Sequence, residues 1–318
     1  MPTSRARSTA RPLALATALV IALAGCSSGG QPGTGGSEPA IGDVPVVLDS
    51  GTLRFPLDAY LPTGAQRKAL AEAQDVLVDR CMKRYGYRFP VRAGHSSGGD
   101  NARRYGVSST ETAARYGYEN PETAERPQKP PEKPMGPNEK LVLNGEAAVD
   151  PSKPVPMSQE EAERSGQGVI TVAGKKVPAG GCLREGFLKL YAPTRDSVDI
   201  MVPQNFGFDA YGRSRQDSRV RKAVEEWSAC MAKGGYRTED PVSPQNDLGF
   251  GDTTLGSPKA VTAARQDVAC KKETNLVGVW STVEAAYQKR LIEQNAETLS
   301  AVKEQLEARL RLAAQLTS

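Results

Sequence analysis

An eight-residue motif occurs twice in this chain, as Cys81-Met82-Lys83-Arg84-Tyr85-Gly86-Tyr87-Arg88 and as Cys230-Met231-Ala232-Lys233-Gly234-Gly235-Tyr236-Arg237. Five of the eight positions agree, which makes C-M-x3-G-Y-R a structural repeat and not a coincidence. Each copy closes a stretch with helical apolar spacing, Leu70, Ala73, Leu77 and Cys81 in the first and Val220, Val224, Trp227 and Met231 in the second. Thr63 and Asp217 are the expected N-caps. Gly86 and Gly235 suit the left-handed position that ends a helix, with Tyr87 folding back on Met82 and Tyr236 on Met231. The cysteine then lies on the last turn, where it can staple the helix end to another element.

Two further cysteines complete the pattern. Cys182-Leu183-Arg184-Glu185 and Cys270-Lys271-Lys272-Glu273 share C-x-x-E, and each follows one copy of the motif. Four cysteines allow three pairings; Cys81–Cys182 with Cys230–Cys270 is the one that preserves the repeat. Zinc is the rival use of such residues, but the chain has no C-x-x-C and a single histidine, His95, so no metal or cofactor is expected.

The fifth cysteine has a different setting. Arg5, Arg7 and Arg11 precede an uncharged run from Leu13 to Ala24, which ends at Leu23-Ala24-Gly25-Cys26. The run is shorter than the roughly 20 apolar residues that span a bilayer, so residues 1–25 read as a signal peptide. The pattern resembles the lipobox of bacterial lipoproteins, which implies diacylation of Cys26 and membrane attachment through that lipid. Ala22-Leu23-Ala24 also fits ordinary secretory cleavage. Residues 26–43 are rich in Gly, Ser and Pro, a flexible tether in which the sixteen residues from Ser27 to Gly42 would span about 20–24 Å as a coil. Loss of the signal removes three arginines and no acids, which takes the net charge from +4 to +1. A near-neutral chain offers no electrostatic case for nucleic acid.

The remainder reads as mainly α, with two diverged disulfide-stapled helical lobes, a small β-hairpin, long disordered loops and a long C-terminal helix. The first lobe is expected over 44–196 and the second over 197–318. A Pro-rich stretch at 121–157, with nine prolines, reads as an extended or disordered excursion. Ser108 with Glu111 and Ser158 with Glu161 are capping pairs for short helices, and Ala173-Gly174 is the turn of a hairpin. Pro203, Gly207 and Gly212 are expected to interrupt helix before Asp217. A single helix from about Leu276 to Leu316 would reach roughly 60 Å. Its first stripe is Trp280, Val283, Tyr287 and Leu291. Its second, Leu299, Val302, Leu306, Leu310 and Ala313, is flanked by charges that include Arg309 and is equally suited to a protein partner or to its own body.

Catalytic motifs are not assembled. His95 has no G-x-S-x-G beside it, and Ser300-Ala301-Val302-Lys303 lacks the companions that make S-x-x-K a nucleophile motif. Together, the lipobox, Leu57-Asp58-Ala59-Tyr60, the paired C-M-x3-G-Y motifs, Val177-Pro178-Ala179-Gly180-Gly181-Cys182 and the Trp280/Tyr287 helix resemble an uncharacterised family of exported actinobacterial lipoproteins. The resemblance carries no chemistry to transfer. The expectation is a non-catalytic accessory protein, lipid-anchored on the extracytoplasmic face of the cell membrane, that serves an envelope complex such as an exporter through its C-terminal helix. The alternative is a binding module for a small molecule or cell-wall fragment, with Trp227, Tyr236 and Trp280 as candidate cleft aromatics.

Overall fold

Two disulfides, Cys81–Cys182 and Cys230–Cys270, join the helix ends that the repeated motif marks, with Cα–Cα distances of 5.5 and 5.6 Å. They are seen in a computed structural model, which describes residues 37–91, 101–125, 134–148, 152, 155–165 and 168–318. Cys26 and His95 lie outside the described residues. Glu38–Ser318 forms one compact unit. Its elements run in order α1 Gly64–Lys83, α2 Thr110–Tyr116, α3 Pro121–Ala124, α4 Pro137–Asn144 and α5 Gln159–Ser165. The hairpin β1 Thr171–Val172 and β2 Lys175–Lys176 follows, then α6 Gly181–Tyr191, α7 Val202–Gln216 and α8 Ser218–Lys233. The chain ends with α9 Pro244–Asp247, α10 Pro258–Glu273, α11 Leu276–Gln294 and α12 Ala296–Thr317.

The two motif copies adopt one geometry. Gly86 and Gly235 take φ of 82° and 86°, and the amides of Tyr87 and Tyr236 donate to the carbonyls of Met82 and Met231 at 3.1 and 3.0 Å. This is the hydrogen bond that satisfies an orphan carbonyl at a helix C-terminus. The C-x-x-E glutamates are also equivalent, since Glu185 lies 3.6 Å from the Cys81 sulfur and Glu273 lies 3.6 Å from the Cys230 sulfur. In each copy the chain after the turn is pinned to the helix it has just left. The Phe89 amide donates to Asp79 in the first, and Ser228 donates to the Thr238 carbonyl in the second. Thr63 and Asp217 cap α1 and α8 as expected, and Ser257 caps α10.

Asp79 gives the first copy a pH dependence. Its burial opposes ionisation, but hydrogen bonds from Lys83, the Phe89 amide and Arg88 outweigh it and hold the carboxyl at about 2. A depressed carboxylate stabilises the fold above its unfolded value near 4, and that contribution fades as pH falls toward 2. Asp79→Asn should therefore lower the melting temperature at pH 6, and the gap from wild type should close between about pH 4 and pH 2. A gap independent of pH would mean that the carboxylate charge contributes nothing.

The packing redraws several sequence boundaries. The proposed lobe boundary at 196/197 is crossed in both directions. Phe55 and Tyr105 sit in one buried cluster with Trp227 and Trp280, whereas α12 packs across α1 and α6. The single helix expected over 276–316 breaks at Asn295, whose φ and ψ are −129° and 29°. The Asn295 side-chain amide donates to the Leu291 carbonyl at 2.8 Å and so competes with the helical backbone. Conversely, α7 runs unbroken through Gly207 and Gly212, because Pro203 falls in its first turn and Ala210 and Ser214 are buried beneath it. Packing against α11 here overrides the weak propensity of the glycines. The 121–157 excursion contains α4, in which Val142 and Leu143 are buried beside the first disulfide. Ser109, not Ser108, caps α2; Ser108 is buried and its hydroxyl accepts from the Ser50 amide at 2.9 Å.

Candidate ligand groove

The two tryptophans proposed for a cleft are instead core. Trp227 and Trp280 are fully buried, and their indole N–H groups donate to Asp267 and to Ser214, each at 2.9 Å. Tyr236 is half-buried and packs between two apolar clusters. Trp280 lies against Tyr105 and Tyr211, with ring centroids 4.9 and 5.5 Å away. These aromatics build the wall behind a site and do not line it.

The opening in the surface lies on the other side of α11. Residues 38–47 run extended along this helix from the level of Tyr287 back to its N-terminus. Glu38 accepts hydrogen bonds from the Ser218 amide and hydroxyl at 2.6 and 2.8 Å, at the positive end of α8. At the other end, Asn275 acts as a clamp in the left-handed conformation, with φ 48°. Its side-chain oxygen accepts from the Val47 amide at 3.2 Å and its NH2 donates to the Pro45 carbonyl at 3.0 Å. Three residues on, Gly278 leaves room for this limb, because a Cβ there would meet the Pro45 oxygen at 2.2 Å. Gly278→Ala should therefore push the limb off α11, with a stability loss of about 1–3 kcal/mol and faster amide exchange at Val47. Unchanged exchange at Val47 would show that the limb is held without the glycine.

The chain then turns and comes back as a second limb, residues 53–57. The Leu57 amide donates to Gln288 at 3.1 Å, and the Arg104 guanidinium lies 4.9 Å from the Phe55 ring centre. Beneath this limb, Glu284 is fully buried and accepts from Arg104, from the Tyr105 hydroxyl at 2.7 Å and from Gln288 at 2.8 Å. Burial is the largest influence on both partners. It raises the Tyr105 hydroxyl well above its ordinary value; in Arg104 it is outweighed by Glu284, which lifts the guanidinium above its usual range. The network anchors the second limb and carries no solvent-facing nucleophile.

Between the two limbs lies a cavity of about 580 Å³ with α11 as its floor. The floor residues Ser281, Thr282, Ala285 and Ala286 are small, which is why space remains there. Ile41, Val47 and Leu53 supply apolar walls. Arg54, Lys289 and Arg290 stand at the mouth, with Asp43 and Glu293. The volume is that of a small-molecule site. No group of three or more His, Cys, Asp or Glu side chains suited to a metal occurs among the described residues. The sequence signal for this groove is the run of small residues Ser281, Thr282, Ala285 and Ala286 along α11, beside the Trp280 stripe.

A comparison with protein-family models, curated proteins and solved structures finds no match to this chain.

Proposed function

We propose that this protein is a lipid-anchored, non-catalytic accessory component of the extracytoplasmic face of the cell membrane. The observation that carries the reading is a pair of buried disulfides in a helical body on a chain that begins with a signal-like segment ending at Cys26. Disulfides of this kind persist in oxidising compartments outside the cytoplasm. No helix among the described residues is long and apolar enough to cross a membrane, so attachment on this reading rests on lipidated Cys26. A protein partner that uses α12 would meet its outer face, where Lys303, Glu304, Glu307 and Arg311 are exposed, since the apolar stripe faces α1.

Cys26→Ala should abolish palmitate incorporation and leave either the precursor or a form released into the medium. A variant that still partitions into detergent like the wild type would sink the lipoprotein assignment. A second reading, an extracytoplasmic binding module, is favoured by the groove over α11, which replaces the aromatic cleft as the place for a ligand.

A further inference from the structure

We propose that Lys271 and Asp267 become joined in the folded protein by a side-chain amide, closed without an enzyme, which gives α10 a second covalent staple beside Cys270. The inference goes beyond the accessory and binding readings and depends on neither. Three carboxylate–lysine pairs at i,i+4 spacing approach to hydrogen-bond distance among the described residues: Asp79–Lys83 at 2.8 Å, Glu185–Lys189 at 2.6 Å and Asp267–Lys271 at 3.1 Å. Lys83 and Lys189 reach solvent, with 50% and 39% of their side chains exposed, whereas Lys271 and Asp267 are 1% and 0% exposed. Water holds an amine and an acid as separate ions. The interior withdraws that hydration and favours the neutral amine and neutral acid, the forms from which an amide closes. Burial moves both groups in that direction, Asp267 upward and Lys271 downward.

The contacts around the pair are those that the product requires. Asp267 Oδ1 accepts from the Trp227 indole at 2.9 Å, Oδ2 accepts from Lys271 Nζ at 3.1 Å, and Nζ also donates to the Val107 carbonyl at 2.8 Å. The carboxyl carbon lies one C–O bond, about 1.2 Å, from Oδ2, so a small rotation of the lysine brings Nζ onto it. One proton passes from the ammonium to Oδ2, and the Nζ lone pair then attacks Cγ. Negative charge gathers on Oδ1 beneath the indole N–H, with the Arg103 guanidinium adding a positive field. A second proton passes from Nζ to Oδ2, the Cγ–Oδ2 bond breaks, and Oδ2 leaves as water. The ion pair supplies every atom of the amide and the water, and no redox partner is needed. The single hydrogen left on Nζ still serves Val107, and the amide oxygen keeps Trp227, so both polar atoms of the product have partners in place. Gly106 lets the chain close over the site, since a Cβ there would meet Nζ at 2.9 Å. Well-oriented intramolecular reactions of this kind proceed as if at about 10⁵–10⁸ M reactant.

The test is mass spectrometry of the folded, purified protein after reduction, alkylation and digestion with trypsin. The expected product is the peptide Gln266–Lys272, lighter than its sequence by one water, uncut after Lys271 and without fragment ions from inside the ring. Lys271→Arg keeps a cation beside Asp267 but offers no amine to acylate. That variant should be cut after position 271 and carry its full sequence mass. The peptides that hold Lys83 and Lys189 are internal controls and should also keep their full mass. Gln266–Lys271 at full mass from the wild type would overturn the proposal. A water loss that persists in Lys271→Arg would overturn it too, because the loss would then belong to a succinimide at Asp267. Equal water loss in the control peptides would reduce the effect to handling. None of these outcomes bears on Cys26 or on the groove, so those readings stand or fall separately.

Discussion

Lys271→Met should destabilise the protein by about 3–5 kcal/mol, more than any other single substitution at its surface or its groove. Lys271 and Asp267 are both fully buried, one turn apart on α10, with their charged atoms 3.1 Å apart. Burial pushes the Asp267 carboxyl up and the Lys271 ammonium down, and each partner opposes the shift of the other. The pair is embedded in further hydrogen bonds. Trp227 donates to Asp267, and Lys271 donates to the Val107 carbonyl at 2.8 Å. Removal of the ammonium strands a carboxylate in the core and leaves that carbonyl unpaired. The stranded carboxyl will bind a proton more tightly in the folded state than in the unfolded one. The deficit relative to wild type should therefore shrink as pH falls from 7 toward 4, a higher pH window than the one in which the Asp79→Asn gap closes. Asp267→Asn combined with Lys271→Met keeps an acceptor for Trp227 and should recover part of the loss. Chemical denaturation of the wild type and both variants with disulfides intact measures this, and a loss below about 1 kcal/mol in Lys271→Met would mean that water reaches the pair.

Truncation after Gln294 is expected to be as damaging. Leu299, Val302 and Ala313 of α12 are buried, and Leu306 and Leu310 pack with Leu70, Ala73 and Leu77 of α1. Arg309, placed by its sequence position among the surface charges, is buried instead and donates to the carbonyls of Tyr191 and Val198, both at 3.1 Å. Each aliphatic side chain of Val or Leu size returned to water forfeits about 1.5–3 kcal/mol, and the face of α1 is exposed at the same time. The truncated chain should lose cooperative unfolding of the half that holds Cys81–Cys182, seen as a broad transition and dye binding to exposed apolar surface. A sharp melt near the wild-type temperature would show α12 to be expendable for the fold and free to serve a partner.

Local features were legible in the sequence where the chemistry is local. A helix end needs a left-handed glycine and a helix start a cap, so Gly86, Gly235, Thr63 and Asp217 announced themselves. The disulfide pairing was legible because the repeat carries its own partner motif. What escaped was tertiary in origin. Nothing in the residues near Gly207 and Gly212 shows that α11 will hold α7 straight across both. Asn295 reads as a polar residue in a helix until its side chain is seen on the Leu291 carbonyl. The tryptophans resemble ligand aromatics in composition, and only burial and the partners Asp267 and Ser214 return them to the core. The groove was hidden for a related reason. It depends on residues 38–47, far in sequence from α11, being drawn across a helix face that is small enough to leave room.

The pairing of α1 with α12 sets the order in which this chain can be completed. These are the first and last helices of ten residues or more in the compact unit, so the first waits, with Leu70, Ala73 and Leu77 uncovered, until α12 has formed. Contacts of such long sequence separation form slowly, and an apolar helix face left open in the meantime is prone to self-association. Closure of Cys81–Cys182 before α12 arrives would tether α1 to α6 and confine that exposed face to one half-built cluster. An oxidant present during folding thus does more than stabilise the finished fold. It shortens the search that the last helix must make.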